Sequence, residues 1–290
     1  MSDPAPAALG RGALWALALG CLLLTGLFSV ALFPYEQLAP LLRRSLAAAT
    51  GAEVQVGAVH GGLGLSGPQL RAVQLQLHWP DPHGEPRRPD LHLDSLHLRA
   101  AWSLSWLEGQ PALHLDARSP AGRLHGTLWP GRLAFDGGLE MPDASRLAGL
   151  WPALDFATGP LQAEFELAPA SKGPLPIAGT LSLHGQRGSV ALPSVPLPAI
   201  PYTSLEADAR ISEDGWWTVR TLDLEGPLLA FSAHGRLAPL GGISAPETLD
   251  LDVDLRHLDP SLQGPAASLG IPAAGGSFHL GGNLARPFLR

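Results

Sequence analysis

Cysteine occurs once in the 290 residues, at Cys21, and lysine once, at Lys172; tyrosine and methionine occur twice each. One cysteine excludes a disulfide within the chain and any cysteine-bearing zinc spacing. It leaves the redox compartment open, since a disulfide-free domain suits an oxidising space and a cytosolic one alike. Charged residues are scarce at 16%, and they sum to −7. Arg43–Arg44 and Arg87–Arg88 are the only adjacent arginine pairs, so no basic run offers a footprint for nucleic acid or for anionic headgroups. Eighteen arginines to one lysine read as a GC-rich genome rather than as an arginine-specific surface.

Catalytic signatures are also missing. There is no Gly-x-Ser-x-Gly elbow and no His-Glu-x-x-His helix. No glycine-rich phosphate loop opens a helix: Gly61-Gly62-Leu63-Gly64 falls in a turn-rich stretch, His60 to Pro68, between expected strands, where glycine serves tight turns. Eleven histidines are present. His92 with Asp94, and His114 with Asp116, would share a strand face, but two ligands on one strand are too few for a metal site. Asp250, Asp252 and Asp254 alternate along a strand and lack the central glycine and terminal glutamate of a calcium loop. The chain is therefore read as having no catalytic, cofactor-binding or metal-binding residues, and as not an enzyme.

What the sequence does have is one long uncharged run, Ala13 to Phe33. As a helix it would rise about 31 Å, the hydrocarbon thickness of a bilayer. Residues 1–12 form a short leader, residues 13–33 a transmembrane helix, and the body after them is translocated. The competing reading is a cleaved signal peptide with Ser29-Val30-Ala31 as its small-x-small site. Over 34–50, Tyr35, Leu38, Leu41, Leu42, Leu46 and Ala49 fall on one face, which predicts an amphipathic helix stopped by Gly51.

From Val54 the period changes from 3.6 to 2. Val73 to Leu77 alternates, as do Leu91–Leu93, Leu96–Leu98, Leu113–Leu115, Leu124–Leu128, Leu133–Asp136, Leu161–Leu167 and Ile177–Leu183. Leu205–Ile211, Trp216–Leu224, Leu228–Leu237, Leu249–Leu255 and Ser277–Leu284 follow the same rule. The parity switch at Asp94-Ser95 marks a bulge or a strand break. Asp143 is placed to cap a short helical turn running to Trp151, and Trp102–Leu107 reads as a helical turn or a strand end. Four prolines over 191–202 mark a loop, an edge or a join between two halves. Trp216-Trp217 puts one ring on each face of a strand. About a dozen short alternating strands predict a mainly β fold: an elongated, largely antiparallel sheet domain over 51–290.

The order of these parts resembles a known family. A single membrane segment and a short helix lead into Thr50-Gly51, a strand at Val54–Val56, glycines at Gly61–Gly64 and a strand at Leu70–Leu77. Leu91–Leu128, Phe231–Pro260 and Gly275–Arg290, with the closing Gly282, Leu284 and Pro287, continue the likeness over nearly the whole chain. This resembles the type II secretion N protein of the deltaproteobacterial kind and, more distantly, AsmA-like proteins. The resemblance implies a single-pass inner-membrane protein with its C-terminal domain in the periplasm. It would be an accessory of the type II secretion system, touching other secretion subunits and the membrane through 13–33, with no nucleic-acid partner. The AsmA-like side implies the alternative: a lipid-binding or lipid-transport protein in which an apolar β groove takes up phospholipid.

Overall fold

Alternating apolar and polar residues determine the architecture of the computed structural model. It describes residues 19–21, 24–25, 28, 33–64, 67–78, 91–101, 109–147, 157–170, 177–191, 199–238, 249–268, 271, 275–283 and 286–289. Seven strands fill the N-terminal half: β1 (Glu53–Gly64), β2 (Gly67–His78), β3 (Leu91–Ala101), β4 (Ala112–Ser119), β5 (Gly122–Trp129), β6 (Ala134–Met141) and β7 (Ala157–Thr158). Eight follow: β8 (Leu161–Pro169), β9 (Ile177–Val190), β10 (Ile200–Ile211), β11 (Trp217–Glu225), β12 (Leu229–Leu237), β13 (Leu249–Leu258), β14 (Gly276–Asn283) and β15 (Arg286–Leu289). All lie in one antiparallel sheet in chain order, except that β7 pairs with β9. β8 covers Ile177–Gly185 of β9 while β7 covers Ser189–Val190, so β7 and β8 are two pieces of one strand interrupted at Gly159–Pro160. The mainly β, antiparallel expectation therefore holds.

A 3-10 turn (Tyr35–Leu38) leads into helix α1 (Ala39–Thr50), which ends where Gly51 adopts φ +67°, the left-handed stop that glycine takes without penalty. Leu38, Leu42 and Leu46 pack on Val59, Ala72, Leu75, Leu96 and Ala117, so α1 lies over the apolar face at the β1 end of the sheet. The expected membrane segment falls mostly outside the described residues. Among the described residues no helix is long and apolar enough to cross a membrane. Leu19, Leu24, Phe28 and Phe33 are exposed there.

Several details correct the sequence reading. His60 to Pro68 is not a turn: β1 runs to Gly64 and β2 starts at Gly67. Alternation is masked there because Gly61 stands at an apolar position, and a Cβ at Gly61 would lie 2.0 Å from the Tyr35 ring packed over it. Of the readings open for 191–202, the edge applies to Ile200, Pro201 and Tyr202, which belong to β10. β11 reaches only as far as Ser204, so Pro201 sits where its strand has one neighbour and a missing donor is tolerated. Leu133 leaves its expected strand for a turn at φ +52° and is exposed. Helix α2 (Pro260–Ser268) was not foreseen, although Asp259 accepts from the Ser261 backbone N–H at 2.8 Å, ahead of a proline at the first helical position. Trp102–Leu107 and residues 148–151 lie outside the described residues; Asp143 does cap the short 3-10 turn Ala144–Leu147.

The parity switch at Asp94-Ser95 is present, inside a continuous β3. It is shared by three strands. Val56, Leu75 and Leu93 form one row and Val59, Ala72 and Leu96 the next apolar one, with two residues between them on every strand. β2 makes the extra step by placing Gln74 at φ +54°.

Candidate functional site

Period-two alternation gives a sheet two chemically different faces, and the strand register decides whether like residues meet across it. Here they meet without interruption. From Val59 the cross-strand neighbours are Ala72, Leu96, Ala117, Leu124 and Leu139. The row continues through Ala163, Leu183, Ala207, Leu222, Ala233, Val253 and Phe278. Every member is apolar. At the usual strand separation such a row is about 60 Å long. A parallel row runs from Leu70 through Leu98, Leu115, Phe165, Leu181, Val219 and Leu251 to Leu280 and Leu289, again with no polar member. Where Gly126 faces Gly137 in that row, the Phe135 ring fills the gap; a Cβ on either glycine would come within 2.8 Å of it. Phe135 in turn stacks on Phe165 at 5.5 Å between ring centres.

The opposite face is polar. Arg256 bridges Asp223 and Glu225, each at 3.1 Å. Asp116 accepts from Arg123 at 2.5 Å and from Arg118 at 3.4 Å. The hydrogen bond from Arg123 is the main reason that the Asp116 carboxyl lies below its ordinary pKa.

His92 and Asp94 do share a face, at 3.8 Å. His114 and Asp116 share one too but take different partners, His114 meeting Thr127 at 3.2 Å. Asp250, Asp252 and Asp254 are exposed while Leu249, Leu251, Val253 and Leu255 are buried, as the alternation requires. His279 lies between Asp250 and Asp252, at 3.3 and 3.0 Å. Among the described residues no three metal-ligating side chains converge. Trp216 is exposed and precedes β11, so it does not share the strand with the half-buried Trp217, which opens it.

The two ends of the apolar face differ in what covers them. Helix α1 covers the β1 end. At the other end Ala233, Leu249, Leu251 and Val253 form a cluster whose neighbours are Val219, Leu222, Phe231, Leu237, Phe278 and Leu280. All of these belong to β11–β14. Among the described residues the cluster draws on these strands alone; Ala233, Leu249, Leu251 and Val253 are buried, and Val219, Leu222, Phe231, Leu237, Phe278 and Leu280 around them are half-buried. A sheet normally buries such a face against another element. Chemically it can take an extended apolar occupant and offers it no hydrogen bonds. Sequence alternation revealed the apolar side of each strand but not the unbroken row, because register lies in the hairpins and not in the alternation.

Comparison of the chain with family models, with curated proteins and with solved structures finds no match.

Proposed function

We propose that the chain is a membrane-anchored envelope protein of the type II secretion N kind, and that its working surface is the apolar face of the sheet, which holds lipid acyl chains. The observation that carries the working surface is the unbroken apolar row from Val59 to Phe278, which runs from the α1-covered strands to half-buried Leu222 and Phe278 at the far end. Acyl chains suit it because apolar burial is non-directional and needs no partner for a hydrogen bond. The setting rests on the order of parts: a tether at Ala13–Phe33, a helix closed by Thr50-Gly51, then the sheet, with the body in the periplasm. The expected outcome of gentle extraction followed by native mass spectrometry is co-isolated phospholipid, lost in a Leu222→Asp/Phe278→Asp variant. A band that carries no lipid in the parent protein would sink this reading.

A second reading, assembly of the secretion machine through protein contacts, is favoured by a different observation. Among the described residues β1 pairs only with β2 and β15 only with β14, so the ladder ends in two unpaired edges. Such edges accept a further strand by β-augmentation. A photo-crosslinker at Gln55 or Phe288 that captures secretion subunits in cells, from protein devoid of lipid, would establish this reading in place of the first.

A further inference from the structure

The polar face holds a feature that the apolar band does not use. Strands β1–β4 bring His60, Arg71, His97 and Asp116 into one cross-strand row. Gln69, Arg99 and His114 form the next row. These residues, with Arg118, line a cleft of about 500 Å³. In a chain of net charge −7 the cleft gathers three arginines and three histidines around one acid. That acid is already engaged, since Asp116 accepts from both Arg123 and Arg118. Arg71 and Arg99 have no acidic partner among the described residues. His97 sits beside Arg71 in the same row: burial first, and then the Arg71 charge, holds its imidazole below the ordinary pKa, against the smaller opposing pull of Asp116.

The position of the cleft narrows its occupant. Gly61 is part of its wall, and on the opposite face of the sheet Gly61 carries the Tyr35 ring. Tyr35 is two residues beyond Phe33, the last residue of the apolar segment. The cleft therefore lies at the end of the sheet where the candidate tether joins it. Adjacent strands are about 4.8 Å apart, so guanidinium groups from β2 and β3 can reach one tetrahedral anion. Guanidinium forks match phosphate oxygens in pairs, and a histidine beside them adds a donor.

We propose that this cleft binds a phosphate group, either the headgroup of an adjacent phospholipid or free phosphate, with Arg71 and Arg99 as its principal donors. The phosphate chemistry stands on the cleft alone; the lipid source rests on the tether reading given above.

The test uses the full chain in maltoside micelles, with the His97 imidazole followed by NMR through a pH titration. Inorganic phosphate is added in one arm, and phosphatidylglycerol is doped into the micelles in the other. Either ligand, on binding, raises the His97 titration midpoint in a saturable way. Arg71→Gln/Arg99→Gln weakens that binding by about tenfold or more, as expected for two lost charge-assisted contacts, while Arg132→Gln, in the exposed turn before β6, leaves it unchanged. A response to inorganic phosphate identifies a free-phosphate site, and a response to phosphatidylglycerol alone identifies a headgroup site. No response to either, or an equal response in the double variant, overturns the proposal. Lipid counted on the apolar face by mass spectrometry is a separate readout, so failure here and failure of the groove are distinguishable.

Discussion

Gln74 stands at φ +54° in the middle of β2. A side chain in this left-handed region costs roughly 1–2 kcal/mol, and the cost is tolerated because it keeps Leu75 and Ala72 both on the apolar face. Gln74→Gly is expected to raise stability by about 1 kcal/mol, read as an increase in the denaturation midpoint. Asp116 makes the opposite kind of contribution. Its carboxyl is held below 3.8, first by the Arg123 hydrogen bond. A carboxyl depressed in the folded state stabilises the protein above the unfolded value, and the contribution is lost as pH falls from 3.8 through the lower folded value. Arg123→Gln should bring the Asp116 titration, followed by its carboxyl chemical shift, back up towards 3.8 and remove part of the acid-induced loss of stability. An unchanged Asp116 titration would show that Arg118 sets its acidity instead.

Among the elements, α1 has the clearest dependence on packing. Leu46 touches both the cluster around Val59 and Ala72 and the one around Val54 and Leu77. Leu46→Ala should cost about 2 kcal/mol. Hydrogen exchange would show this as faster exchange in β1 and β2, with β12 and β13 unaffected. The elements also show what the sequence could and could not reveal. β13 was legible from its first residue to Leu255, three short of its end, because Leu249 to Leu255 alternate without a break and hydration of Asp250, Asp252 and Asp254 leaves only one face to bury. The kink at Asp94-Ser95 was legible for the same reason. Its counterparts were not: Gly57 and Ala58 are too small to carry parity, and Val73 alternates with Leu75 and Leu77 in the sequence although the structure places the step between Leu75 and Ala72. Helix α2 was hidden by Gly264 and Pro265 within it, despite its Asp-Pro-Ser start. The cleft on the polar face was illegible altogether. Its cations come from four strands between His60 and Arg118, and only register places them together.

At the scale of the whole molecule, nearly every strand pairs with its sequence neighbours alone. Such a chain is close to one-dimensional: each hairpin stabilises the next, and among the described residues no long-range pairing closes the ends. Unfolding should then be graded rather than all-or-none. Tryptophan fluorescence and far-ultraviolet dichroism are expected to give different denaturant midpoints, and amide protection should decline towards β15, whose pairing with β14 involves four residue pairs. Coincident transitions from both probes, with uniform protection, would show that the sheet is one cooperative unit. The apolar row explains why grading does not mean disorder: each strand adds side chains to both neighbours on the same face.

The meander also makes the length of the protein adjustable. A hairpin inserted or deleted anywhere between β4 and β14 would return the chain to the same end of the strands and keep every other residue on its own side. The ladder would lengthen or shorten by about 10 Å per hairpin. An odd strand would send the chain out at the wrong end. Reach across a gap can therefore change in whole hairpin steps, by duplication or loss, while the oily and the charged sides stay intact.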